Sequence, residues 1–133
     1  QAAPLGDRVH FMKNLSDTDL RSAFADCDIF VLPSIEKSEA FGIVQLEAMV
    51  CGKPVINTDL DTSVPLVSLD GETGITVKAG DSAELAEAMN RLIKDDDLRT
   101  RLGRAAGKRA AENFDIKNMI GSVKMHCREL MEE

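Results

Sequence analysis

The chain has 133 residues, 44% hydrophobic and 29% charged, with a formal net charge of −7 at pH 7. That suits one globular domain with its own core, and it sets aside bulk attraction to nucleic-acid phosphates or anionic membranes. Five Phe and no Trp or Tyr argue against a base-stacking platform for single-stranded nucleic acid, so any phosphate must be held locally, by backbone amides or a few placed cations.

In chain order, Val9–Met12 is short and apolar and predicts a strand. Asp17–Ala25 places Leu20, Ala23 and Phe24 at helical spacing and predicts a short amphipathic helix. Ile29–Leu32 is a continuous apolar run closed by Pro33, the pattern of a parallel strand buried on both faces. Ser34–Ala40 reads as a loop. Phe41–Val50 reads as a helix with Ile43, Leu46 and Val50 on one face, stopped by Gly52. Pro54–Ile56 begins the next strand, and Asn57–Ser63 is a polar loop. Asp70-Gly71 and Gly74 mark turns, and Ile75–Val77 is a short strand. Asp81 or Ser82 caps a helix over Ala83–Lys94. Asp95–Asp97 is a break rich in caps, followed by helices over Leu98–Asn113 and Ile116–Met131. Such alternation implies a parallel α/β sheet with right-handed crossovers. Gln1–Asp7 carries no strand, so the chain is expected to start in a linker, after earlier βα units.

The three cysteines, Cys27, Cys51 and Cys127, are odd in number and widely spaced, with no zinc or CxxC pattern. Cys27 and Cys51 sit among small and apolar residues, as buried free thiols do, which suits a reducing cytoplasm. No run of eighteen apolar residues occurs. His10 and His126 read as structural or solvated, and the basic run Arg99, Arg101, Arg104, Lys108, Arg109 reads as a solvated helix face.

The chemistry concentrates in Pro33–Val55. Ligands of open α/β sheets bind beyond the carboxyl ends of the strands. Here a strand ends, a polar loop follows, and a helix opens at Phe41-Gly42. Gly42 allows a ligand close to the backbone, and the free amides of the first turn make an anion site. Glu39, just before the helix, and Glu47, between one and two turns into it, are charged acceptors for sugar hydroxyls. A diphosphate between them, with a hexose on one side and a ribose on the other, fits this spacing. Bare sequence equally allows a solvated loop acid and a surface helix acid.

These residues resemble a known family. Ser38-Glu39-Ala40-Phe41-Gly42-Ile43-Val44, Leu46-Glu47-Ala48-Met49 and Gly52-Lys53-Pro54-Val55 are similar to the E-x7-E signature of GT-B glycosyltransferases of family 4, the group 1 transferases. Asp7–Phe11 resembles the family's strand before the donor-base loop, Asp28–Ser34 its next strand, and Asp70–Gly74 its DG-x-TG turn. The sequence differs at Lys13, where Gly is frequent, and at Leu66, where Glu often follows Pro. The resemblance implies a Rossmann-like parallel sheet flanked by helices, the C-terminal domain of a GT-B enzyme truncated at its N-terminal side. It would span residues 1–133, with 115–133 as a C-terminal helix. Glu39 would contact the donor hexose near the reacting face, and Glu47 the ribose. Phe41, Gly42, Ile43 and Val44 would present amides to the diphosphate, and Asn14, Leu15 and Ser16 would lie near the base. The expected function is binding of a UDP- or GDP-sugar for retaining hexosyl transfer, in polysaccharide or glycolipid synthesis, without cofactor or essential metal. A sugar or lipid-linked acceptor would sit on a missing N-terminal domain, which would also bring peripheral contact with the inner membrane face. The family's phosphate-clamping Arg and Lys lie upstream of this chain, so alone it is expected to bind weakly and not to catalyse. No nucleic-acid partner is implied. The other class open to the sequence is a non-catalytic α/β nucleotide-binding or scaffold module.

Overall fold

A computed structural model describes residues 8–118, 120, 121 and 125. Its elements are α1 (Asp17–Asp26), β1 (Phe30–Val31), α2 (Ile43–Val50), β2 (Val55–Thr58), α3 (Val64–Val67), β3 (Gly74–Val77), α4 (Ser82–Lys94) and α5 (Asp96–Asn113). The strands form one sheet in the order β1-β2-β3, with both pairs parallel. The expected α/β architecture is present. Most of the expected last helix, with Cys127 and His126, lies outside the described residues, as does Gln1–Asp7.

Alternation along β2 separates two cores. Val55 packs with Met49 of α2 and with Ala106 and Ala110 of α5. Ile56 packs with Ala88 and Leu92 of α4 and Leu102 of α5. One long helix therefore seals both sides of the sheet. It approaches α2 closely: a Cβ on Gly103 would collide with the Gly52 carbonyl. Helix ends follow their cap residues. The Asp81 carboxylate accepts from the Ala83 and Glu84 amides, both at 3.0 Å, and opens α4. Asp95 does the same for α5 through Leu98 N at 2.8 Å.

Three expectations are corrected. Val9–Met12 is no strand: the segment is exposed, with Phe11 at 89%, and among the described residues no neighbouring strand supplies a ladder. Ile29–Leu32 contracts to a two-residue strand that is half-buried, because β1 pairs with β2 alone among the described strands. Asn57 and Thr58 are not loop but the buried end of β2. The rest of the expected loop, 59–63, is loop, and after it Val64–Val67 forms α3, a single turn with Pro65 in its first turn, where proline's fixed φ fits and its missing N–H is no loss.

Candidate functional site

The carboxyl end of the sheet is roofed by two loops that hold one another. Thr58 Oγ1 donates to the Ser34 carbonyl at 2.7 Å. Lys37 Nζ meets Asp61 Oδ2 at 2.8 Å. That hydrogen bond, with the lysine charge behind it, holds the Asp61 carboxyl below its usual range.

Between these loops the chain enters α2 through Gly42, its N-cap, at φ 70° and ψ 58°. This left-handed conformation suits glycine. A Cβ there would lie 2.6 Å from Gln45 Nε2 and 2.7 Å from Leu32 Cδ2. Glu39 folds over the opening: its Oε1 accepts from the Gly42 amide at 3.1 Å. A carboxylate is favourable at this positive end of the helix. The Ile43 and Val44 amides, next in the first turn, have no acceptor among the described residues. Of the four amides expected to face a diphosphate, the Gly42 amide is therefore already engaged.

Glu47 is exposed and opens on a groove of about 730 Å³ between α1 and α2, walled by Leu20, Phe24, Ile43 and Leu46 and flanked by Asp17 and Arg21. The face of α2 carrying Ile43, Leu46 and Val50 thus lines this groove, with Ile43 at 67% and Val50 at 71% exposure. The opposite face, carrying Gln45, Ala48 and Met49, is buried. Glu39 lies instead in a separate, shallower concavity with Ser34, Ile35, Glu36 and Ser38. The two carboxylates flank the start of α2 without sharing a cavity.

Asn14, Leu15 and Ser16 are exposed and run into the N-terminus of α1. Asn14 has φ 53°. Ser16 caps α1, accepting from the Asp19 amide at 3.2 Å. Asp17, the next residue, lines the groove that holds Glu47, so this segment reaches the α1 wall of that groove.

A buried polar chain behind Gly42 was not anticipated. Gln45 is fully buried and Asn57 is 1% exposed. Gln45 Nε2 donates to the Phe41 carbonyl at 3.2 Å and the Val64 carbonyl at 3.3 Å. Asn57 Nδ2 donates to Gln45 Oε1 at 2.9 Å, to the Val64 carbonyl at 3.1 Å and to the Ser68 carbonyl at 3.2 Å. Thr76 Oγ1 donates to Asn57 Oδ1 at 2.7 Å. The chain thus ties the loop before α2 to β2, α3 and β3. Its signal in the sequence is an amide residue inside each of two apolar runs, IVQLEAMV and PVIN. Buried amides need such partners.

The basic run is also not uniformly solvated. Arg99 bonds the Leu92 carbonyl and pairs with Asp96 at 2.9 Å, and Arg109 bonds the Leu66 and Val67 carbonyls. His10 is exposed. Both described cysteines are free, but Cys51 is exposed and Cys27 only half-buried. Burial pushes the Cys27 thiol up, against a smaller opposing pull from Lys53. Among the described residues no three His, Cys, Asp or Glu side chains form a group able to hold a metal, and no helix is long and apolar enough to cross a membrane.

A sequence model of the family described as glycosyl transferases group 1 matches residues 1–109. The phosphatidyl-myo-inositol mannosyltransferase of Mycobacterium leprae is 41% identical over 115 residues, covering 86% of this chain and 30% of that protein. Sucrose-phosphate synthase from Thermosynechococcus elongatus superposes with a TM-score of 0.82 at 30% identity, over 96% of this chain and 31% of that one. Anabaena HepE, solved in complex with UDP-glucose, superposes with a TM-score of 0.72 at 29% identity, over 82% of this chain and 30% of that one. The chain thus spans less than a third of the length of each of these proteins.

Proposed function

This chain belongs to the group 1 glycosyl transferases, and on that premise we propose that it holds the donor for retaining transfer of a hexose carried on a nucleoside diphosphate. The fold is the Rossmann-like α/β arrangement of GT-B enzymes. The observation that carries the reading is the left-handed Gly42 opening α2 between Glu39 and the Glu47 groove. The Ile43 and Val44 amides face the diphosphate, with those of Phe41 and Gly42 beside them. Glu47 accepts from the ribose hydroxyls, and Glu39 from the hexose. The base lies toward Asn14, Leu15 and Ser16. A UDP-glucose complex of a protein with the same fold supports a nucleotide-sugar donor.

In the reaction, the bond from the anomeric carbon to the diphosphate oxygen breaks. The acceptor hydroxyl oxygen takes its place on the same face, and the proton it loses goes to the departing diphosphate. Charge growing on the diphosphate falls toward the amides of α2, which are already oriented there. No metal is required in this reading. A sugar or lipid-linked acceptor is supplied by a further domain, in polysaccharide or glycolipid synthesis. The free thiols of Cys27 and Cys51 favour a reducing compartment such as the cytoplasm.

Calorimetric titration of the chain with UDP, GDP and their hexose conjugates, beside Glu47→Ala, tests this. Saturable binding of one nucleotide, weakened in the variant, is the expected result. A folded chain that binds none of them, or whose binding ignores Glu47→Ala, would sink the donor assignment. Such a result would favour a scaffold.

A further inference from the structure

The loop that opens α2 is held from outside its own βα unit. The Phe114 ring, the C-cap residue of α5, meets the Phe41 ring edge to face with centroids 6.1 Å apart. The Arg109 guanidinium lies 5.5 Å from the centre of that same Phe114 ring. Its Nε donates to the Val67 carbonyl at 3.0 Å and its Nη2 to the Leu66 carbonyl at 2.8 Å. These are terminal carbonyls of α3, which lack donors within the helix. α3 in turn touches the loop. The Ser63 amide donates to the Ala40 carbonyl at 2.9 Å, and Gln45 Nε2 donates to the Val64 carbonyl at 3.3 Å. The contacts close a circuit from the loop through α3, Arg109 and Phe114 back to Phe41.

Gly42 gains nothing from its own backbone that would keep it left-handed, because glycine populates both signs of φ. Its neighbours must hold it. On the inner side Gln45 bonds the Phe41 carbonyl. On the outer side Phe114 packs against the Phe41 ring. We propose that Phe114 and Arg109 are positioning residues of the donor site: they hold Phe41, and through it Gly42, so that the first amides of α2 and the Glu39 carboxylate keep one orientation. The inference rests on the donor-site reading. Neither residue touches the substrate. Both act through Phe41 and α3, and the distal end of α5 thereby sets the geometry of the anion site.

Two measurements on the whole chain test it, using Phe114→Leu and Arg109→Lys. Leucine keeps apolar bulk but removes the ring contacts, and lysine keeps the charge but removes the planar fork. The first measurement is amide hydrogen exchange, which needs no ligand. Phe114→Leu is expected to speed exchange at the bonded amides of Gly42, Gln45 and Ser63 by about tenfold, while Ile56 and Leu92 amides change little. Equal acceleration everywhere, or none at the loop, overturns the proposal. The second compares affinity for UDP or GDP with that for the matching nucleoside. The diphosphate is expected to weaken about fivefold in both variants with the nucleoside unchanged, since the fault lies at the anion site. Equal loss on both ligands marks a merely structural role and overturns it. If the unaltered chain binds no nucleotide, the donor-site reading falls on its own, and the exchange pattern still decides whether these residues set the loop.

Discussion

The Glu39 carboxylate accepts a hydrogen bond from the Gly42 amide at 3.1 Å, so the chain places its own anion at the mouth of α2. A donor diphosphate bound at the proposed site would meet that anion at the same positive helix end. Glu39→Gln keeps an acceptor for the amide and removes the charge. Affinity for bare UDP or GDP should rise by about fivefold, the equivalent of about 1 kcal/mol at a helix terminus. Discrimination of the hexose conjugate from the bare diphosphate should shrink, since the charged acceptor for sugar hydroxyls is gone. Calorimetry on the two proteins checks both. Unchanged affinity for the bare diphosphate would mean that the phosphates sit elsewhere.

Asn57 shares its two amide protons among three oxygens, those of Gln45, Val64 and Ser68. Asn57→Asp would turn that donor into a fourth oxygen in a dry site. When ionised, it should destabilise by about 3–5 kcal/mol. Burial among acceptors raises the folded pKa of the new acid above its unfolded value. The penalty is therefore absent below the unfolded pKa, grows as pH rises, and is complete above the folded pKa. Asn57→Leu, with no charge, should cost about 1–3 kcal/mol at any pH. Urea unfolding at pH 4 and pH 7 separates them, and a pH-independent loss for the aspartate variant would contradict the buried network.

Gly42 and Gly71 share φ +70°, but a Cβ on Gly42 meets Gln45 and Leu32 whereas one on Gly71 meets nothing within 4 Å. Gly71→Ala should cost only the left-handed strain, about 1 kcal/mol. Gly42→Ala adds overpacking and should cost about 2–4 kcal/mol in thermal or urea unfolding. It should also weaken nucleotide binding, which Gly71→Ala should leave alone. Equal losses from the two would show that the crowding at Gly42 relaxes freely.

The Lys37–Asp61 pair joins the two roof loops at 2.8 Å, with side chains 72% and 88% exposed. Because Lys37 lowers the Asp61 carboxyl, the pair is intact above the ordinary aspartate range and is lost as pH falls through the lowered folded value. A carboxyl-carbon NMR titration should find the Asp61 midpoint below that of a free aspartate, returning toward it in Lys37→Met. Thermal stability at neutral pH should hardly move, as exposed pairs contribute little. A midpoint indifferent to Lys37→Met would mean that the loops are not joined in solution.

Local signals carried much of this protein. Apolar runs and cap residues placed α1, α4, α5 and all three paired strands, and Gly42 between Glu39 and Glu47 marked out the proposed site before any fold was known. These features are local in origin: a helix start depends on its own cap and first turn, and a tight turn on its own glycine.

What failed depended on neighbours distant in the chain. Val9–Met12 has the composition of a strand, but a strand exists only where another supplies its ladder. Ile43, Leu46 and Val50 share an apolar face, yet periodicity says which side is oily and not what covers it. Packing turned the Gln45 side of α2 inward and left the apolar face lining a groove. Gln45 and Asn57 are twelve residues apart, and Arg109 reaches carbonyls 42 and 43 residues earlier. Such bonds form only once β2, α3 and α5 have converged. The sequence by itself determined most of the elements and singled out the glycine and two acids of the proposed site. Only tertiary structure decided which face of α2 is core, which polar groups lock the loop, and that the two acids face separate hollows, because burial and hydrogen-bond partners belong to the packed chain and not to any window of it.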